Sequence, residues 1–204
     1  SSEGYGMDYY DVRLDNGSWI YNALNTSYTF SGLTEAQHTI YVRAHDLAGN
    51  INITSITIYV DLTPPNVWFE YPQDGMYLNT SDITIEWNAS DNVGLASYRI
   101  SIDGGPWVNI SAGVNCYTFT SLADGTHTVT VVAIDTNNNS AEDSVTFHVD
   151  TLSPVINIIM PLEGDCYNTG DVKVYWQGTD NIGIEHYELD YGYGWIHIGT
   201  NTSY

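Results

Sequence analysis

An all-β chain of tandem sandwiches is predicted by three features of the sequence. Apolar residues alternate with period two, no segment carries a helical apolar stripe, and long motifs recur at one fixed spacing. Asp61-Leu62-Thr63-Pro64-Pro65 returns as Asp150-Thr151-Leu152-Ser153-Pro154, and Asp91-Asn92-Val93-Gly94-Leu95 as Asp180-Asn181-Ile182-Gly183-Ile184, each 89 residues on (150 − 61 and 180 − 91). Upstream, Tyr10-Asp11-Val12 through Asp15-Asn16-Gly17-Ser18-Trp19 matches Tyr98-Arg99-Ile100 through Asp103-Gly104-Gly105-Pro106-Trp107, and His38-Thr39-Ile40 matches His127-Thr128-Val129. Residues 61–149 are therefore expected to hold one complete repeat, residues 1–60 the C-terminal part of a preceding repeat, and residues 150–204 the N-terminal part of a third. In this alignment Ser2-Glu3-Gly4 falls where Ser90-Asp91 does and Tyr204 falls near Tyr117, so both ends are expected inside repeats. Such a chain is either a window on a longer repeat protein or a molecule whose head and tail complete each other between neighbours. The second arrangement would carry the Tyr10/Tyr187 and Trp19/Trp195 strand pair twice.

In the complete repeat, alternation places strands near Val67–Tyr71, Ile83–Ala89, Ala96–Ile102, Trp107–Ile110, Tyr117–Ser121, Thr126–Ile134 and Ser144–Val149. Seven short strands predict a sandwich. Ile83, Ile85 and Trp87 share one face and Thr84, Glu86 and Asn88 the other, so one face is core and the other wet. Val129, Val131 and Ala133, then Val145, Phe147 and Val149, repeat that pattern. Asp103-Gly104-Gly105 and Asn16-Gly17 tolerate positive φ and predict tight hairpins, while Ala123-Asp124-Gly125 and Thr136–Asn139 read as loops. Proline stiffens the joints at Thr63-Pro64-Pro65 and Ser153-Pro154.

Composition narrows the function. Lys and Arg number 4 against 25 Asp and Glu, a formal charge of −21 that repels polyphosphate and anionic lipid and excludes nucleic acid as a partner. No apolar run reaches the ~18 residues that mark a transmembrane helix. Asn-X-Ser/Thr sequons stand at Asn16, Asn25, Asn52, Asn79, Asn88, Asn109, Asn138 and Asn201. With 18 Asn and 37 Ser or Thr in 204 residues, chance gives about three. The excess predicts a glycosylated extracellular chain, and an Asn/Thr-rich strand composition is the competing explanation. Cys116 and Cys166 do not occupy equivalent repeat positions. They are open to three readings: buried free thiols, a bond between molecules, or a disulfide within the chain.

Three motifs together resemble a known group. They are the Asp-X-Thr-X-Pro joint, the loop Ser90–Leu95 leading into Tyr98-Arg99-Ile100-Ser101-Ile102-Asp103-Gly104-Gly105-Pro106-Trp107, and Asp46-Leu47-Ala48-Gly49-Asn50 after an alternating strand. The chain is similar in these to the tandem immunoglobulin-like or fibronectin-III-like repeats of bacterial and archaeal cell-surface proteins. The resemblance spans almost the whole chain and implies Ig-like sandwiches in an extracellular setting. Such modules serve as stalks, adhesins, surface-layer components, filament subunits and spacers in secreted enzymes. Asp135-Thr136-Asn137-Asn138-Asn139 departs from the pattern of Asp46–Asn50.

In a seven-stranded sandwich of this kind, two loops and the entering linker gather at one end. For the complete repeat that end would hold Asp61, Asp91, Asn92, Asp135 and Asn139, and for the next Asp150, Asp180 and Asn181. These oxygens suit Ca²⁺, which takes six to eight such ligands; Asp and Asn also favour turns in their own right. Trp87 and Trp176 alternate with Ile and Val and are expected in the core. Trp107 and Trp195, with Tyr98 and Tyr187, are either partly buried rings or platforms for sugar or a neighbouring subunit. Six His form no HExxH, and neither GxSxG nor a phosphate loop occurs. Lys173 is expected to point outward, which removes the buried lysine of an isopeptide crosslink. The expected function is non-enzymatic: an extracellular structural or adhesive repeat that self-associates into a filament or lattice. The alternative is a carbohydrate-binding or spacer module of a secreted hydrolase.

Overall fold

The computed structural model describes residues 6–200 and 202. Ser2, Glu3, Gly4, Tyr204 and the sequon at Asn201 lie outside the described residues. Every regular element among the described residues is a β-strand. By its contacts the chain divides into two compact units. The first is Ser1–Asn66 with Ser90–Ala96 and Ile134–Ala141; the second is Val67–Ala89, Ser97–Ala133 and Glu142–Tyr204.

The first unit is organised on strands β1 (Met7–Leu14), β2 (Ile20–Tyr21), β3 (Ala36–Asp46) and β4 (Ile51–Val60), in the order β2-β1-β3-β4. All neighbours are antiparallel. Asp11 sits opposite Arg43 in the β1/β3 register and is buried. Its Oδ2 accepts from Arg43 Nη2 at 2.5 Å and pairs with His45 Nε2 at 3.1 Å, which compensates the lost hydration.

Most of the second unit is two sheets. Strands β5 (Asn66–Tyr71), β7 (Ile83–Ser90) and β10 (Cys116–Phe119) form one, ordered β10-β7-β5. The other takes β6 (Tyr77–Leu78), β8 (Leu95–Ile102), β9 (Val108–Ser111), β11 (Gly125–Asp135) and β12 (Ser140–Val149), in the order β6-β12-β11-β8-β9. Ile83, Ile85 and Trp87 from the first sheet and Tyr98, Ile100, Val129, Val131, Phe147 and Val149 from the second are buried together. The Trp87 and Tyr98 rings meet edge to face at 5.6 Å and 75°, so the alternation of the sequence becomes a sandwich core. All seven strands expected in this region are present. Two differences have local causes. β6 is two residues long, too short to show a period, and pairs parallel to β12 through His148 and Tyr77. β12 begins at Ser140, not Ser144, because the preceding loop folds back tightly on Asp135 and pairing starts at once.

The remaining strands are β13 (Val155–Met160) with β14 (Tyr175–Thr179), and β15 (Glu188–Leu189) with β16 (Ile196–His197). Trp176 is buried and meets Tyr187 at 5.9 Å and 68°, repeating the Trp87 and Tyr98 contact one period on.

A second device recurs from one repeat to the next, its Asp 88 residues on (103 − 15) and its His 89 (127 − 38). Asp15 and Asp103 take positive φ, 47° and 51°, at tight turns. Asp15 accepts the Thr39 amide at 2.7 Å and pairs with His38 Nδ1 at 2.8 Å; Asp103 accepts the Thr128 amide at 2.8 Å and pairs with His127 Nδ1 at 2.7 Å. The other ring nitrogen reaches a backbone carbonyl, of Thr34 or Ala123. The His therefore pins a hairpin to the start of the strand beside it. Its bond to Asp15, then the Thr34 carbonyl, raises the His38 pKa above its ordinary 6.5. Burial pushes His127 down, but its bonds to the Ala123 carbonyl and Asp103 outweigh that and leave it raised. Bonds from His38 and the Thr39 amide lower Asp15 from its ordinary 3.8.

These directions fix a sign. The stabilisation from the two His is full below pH 6.5 and is lost as pH rises through their raised values. That from Asp15 is full above pH 3.8 and is lost as pH falls through its lowered value. The unfolding midpoint is expected to fall between about pH 6 and pH 8, and the His38→Gln/His127→Gln pair to flatten that fall. An equal slope in the double variant contradicts the pin.

Candidate metal centre

Three carboxylates converge in the first unit. Asp61 follows β4, Asp91 follows β7 and Asp135 ends β11. One carboxylate oxygen from each lies within 4.8 Å of the other two. Asp61 is 6% exposed and Asp135 fully buried. Each residue first closes its own loop. Asp61 Oδ1 accepts the Thr63 amide at 3.2 Å; Asp91 Oδ1 accepts Val93 and Gly94 at 2.9 and 2.7 Å; Asp135 Oδ1 accepts Asn137 and Asn139 at 2.7 and 2.8 Å. This is turn chemistry, with a carboxylate standing in for the missing backbone partner.

The second oxygens differ. Asp135 Oδ2 accepts Asn139 Nδ2 at 2.8 Å, whereas Oδ2 of Asp61 and Asp91 are buried with no donor. Burial raises the Asp135 pKa, but the bonds from Asn139 and the loop amides outweigh it and leave the carboxyl lowered, hence ionised. Two carboxylate charges 4.8 Å apart repel by about 3–4 kcal/mol at an effective dielectric of ~20. No basic side chain among the described residues offsets this. Arg13 lies over Trp19 and Tyr41, Arg43 over Trp19, Arg99 over Trp107 and Lys173 over Tyr175.

The asparagines act as donors. Asn139 Nδ2 bridges Asp135 and the Asp61 carbonyl, and Asn92 Nδ2 donates to Glu35 Oε1 at 2.5 Å. Glu35 Oε2 also accepts Thr63 Oγ1 at 2.5 Å, so one acid ties the Asp61–Asn66 linker to the Asp91 loop. In the second unit Asp124 repeats the link: Oδ1 accepts the Thr151 amide at 2.9 Å and its hydroxyl at 2.8 Å, and Oδ2 accepts Asn181 Nδ2 at 3.0 Å. The Thr151 bonds, amide first, lower the Asp124 pKa. Asp180 closes its loop on Ile182 and Gly183 as Asp91 does, and Asp150 accepts the Leu152 amide at 3.4 Å. Neither Glu35 nor Asp124 stood out in the sequence, because the two acids differ in type; their common offset of 57 residues from an Asn was the available signal.

Seven sequon asparagines, Asn16, Asn25, Asn52, Asn79, Asn88, Asn109 and Asn138, are exposed. Cys116 and Cys166 are free and exposed, neither buried nor bonded to each other. Cys116 faces Glu86 across the β7/β10 ladder, on the wet face that Glu86 shares with Thr84. Trp107 is 46% exposed and Trp195 71%, whereas Tyr98 is core. His186, Glu188 and His197 also converge, a donor set that alternation and one hairpin pairing bring together at the surface.

Known proteins bear on these features as follows. Residues 65–131 match the family profile of the bacterial Ig domain. The chain is 33% identical over 104 residues to Halomucin of Haloquadratum walsbyi, across 48% of this chain and 1% of that protein. It is 30% identical over 166 residues to Chitinase A1 of Niallia circulans, across 77% of this chain and 23% of that protein. The chain thus spans under a quarter of either relative. The fibronectin(III)-like modules of Clostridium thermocellum CbhA superpose with a TM-score of 0.49 at 18% identity, over 73% of this chain and 81% of theirs. Over residues 65–131 the chain is similar to the bacterial Ig domain, and the all-β chain as a whole resembles the Ig-like and fibronectin-III-like repeats of bacterial and archaeal cell-surface proteins.

Proposed function

We propose that this chain is a structural or adhesive stretch of an extracellular, glycosylated repeat protein, in which β-sandwiches held in series build a surface layer, stalk or filament. One observation carries this reading: the acid that ties a linker Thr to a loop Asn is made twice, by Glu35 with Thr63 and Asn92 and by Asp124 with Thr151 and Asn181. A catalytic module has no need of the same joint at every period, whereas an array that transmits tension does. The exposure of seven sequons supports glycosylation, and the charge of −21 keeps wet strand faces soluble and resists edge pairing. Self-association into a filament or lattice is part of the proposal.

A second reading has one observation in its favour. Trp107 and Trp195 are exposed indoles, and Chitinase A1 is among the relatives, so the repeats would serve as sugar-binding or spacer modules beside a hydrolase. Titration with chito-oligosaccharides separates the readings. The structural role predicts no saturable binding; binding abolished by Trp107→Ala favours the second.

The joint has its own test. Glu35→Ala/Asp124→Ala is expected to broaden the distance distribution from small-angle scattering while circular dichroism keeps its strand content. A distribution identical to that of the unaltered chain contradicts a mechanical joint.

A further inference from the structure

We propose that Asp61, Asp91 and Asp135 together bind one hard divalent cation, Ca²⁺, that locks the linker after β4 to the two loops beside it. The inference stands on local geometry and does not depend on where the protein works. The convergence fits an ion: oxygens bound to one Ca²⁺ at about 2.3–2.6 Å lie at most about 5 Å apart, and those of the three Asp lie within 4.8 Å.

Turn formation does not account for the arrangement. It employs Oδ1 of all three residues and leaves Oδ2 of Asp61 and Asp91 buried without a donor. In the Asp46 loop, as in its counterpart at Asp135, loop amides and an Asn side chain satisfy both carboxylate oxygens. Among the described residues a buried, unfilled Oδ2 is therefore peculiar to Asp61 and Asp91 and is not a general property of these turns. A buried acceptor left without a donor is costly, and a buried charge more so. The four basic side chains lie on aromatic rings, so the protein supplies no cation here. An all-oxygen donor set selects a hard ion and disfavours Zn²⁺. Ca²⁺ accepts such flexible carboxylate sites, whereas Mg²⁺ demands near-ideal octahedral geometry and keeps its waters.

The test is calorimetric titration of the EDTA-treated chain with CaCl₂, with unfolding midpoints measured beside it. One ion per chain is expected, with a Kd of about 0.1–1 mM as in extracellular modules. The midpoint is expected to rise by about 3–10 °C at about 10 mM CaCl₂, and not with NaCl at matched ionic strength. Asp91→Asn keeps the Oδ1 acceptor for Val93 and Gly94 and removes only the charge. It is expected to weaken Ca²⁺ binding at least ~10-fold and, in the metal-free chain, to raise the midpoint because repulsion is relieved. Asp61→Asn provides the same readout at a second ligand. Absence of saturable heat, an equal rise in NaCl, or a full Ca²⁺ response in both variants overturns the proposal.

Discussion

The constraint on which the structure rests is that short strands leave backbone amides unpaired at every loop, and this chain satisfies them with carboxylates. Asp15, Asp46, Asp61, Asp91, Asp103, Asp135, Asp180 and Asp190 each accept backbone amides at strand ends. Asp74 and Asp82 do so across longer separations, to Thr146 and Ser121. The acidity of the sequence is thus largely structural, since a carboxylate accepting N–H bonds gives tighter turns than the neutral alternatives.

A carboxylate has two oxygens, and closing a loop occupies one. What the second oxygen does distinguishes the sites. At Asp15 and Asp103 it holds a histidine and pins a hairpin. At Asp124 it takes Asn181 and makes a joint. At Asp61 and Asp91 it faces no donor. One chemical group, repeated through the chain, yields pins, joints and a candidate ion site according to its surroundings.

The fold was legible in the sequence because both of its signals are local or periodic. Alternation at Ile83, Ile85 and Trp87 placed the core, and the same alternation put Trp176, 89 residues after Trp87, in the equivalent buried position. The edge contact of each Trp with Tyr98 or Tyr187 emerged only from the structure. The convergence of Asp61, Asp91 and Asp135 was legible too, since loops at one end of a sandwich must approach each other. Donor roles were not. Asn92 and Asn139 looked like ligands, and only side-chain geometry shows their amide nitrogens committed to Glu35, Asp135 and the Asp61 carbonyl. β6 escaped notice because two residues have no period, and the start of β12 because Ser140-Ala141-Glu142-Asp143 carries no apolar alternation.

Hydrogen exchange at loop amides tests the central claim most directly. If carboxylates hold the loops, the amides of Val93, Gly94, Asn137, Asn139, Ile182 and Gly183 exchange near neutral pH as slowly as neighbouring strand amides, although they belong to no ladder. Exchange of these amides at the rate of an unstructured peptide would contradict the account.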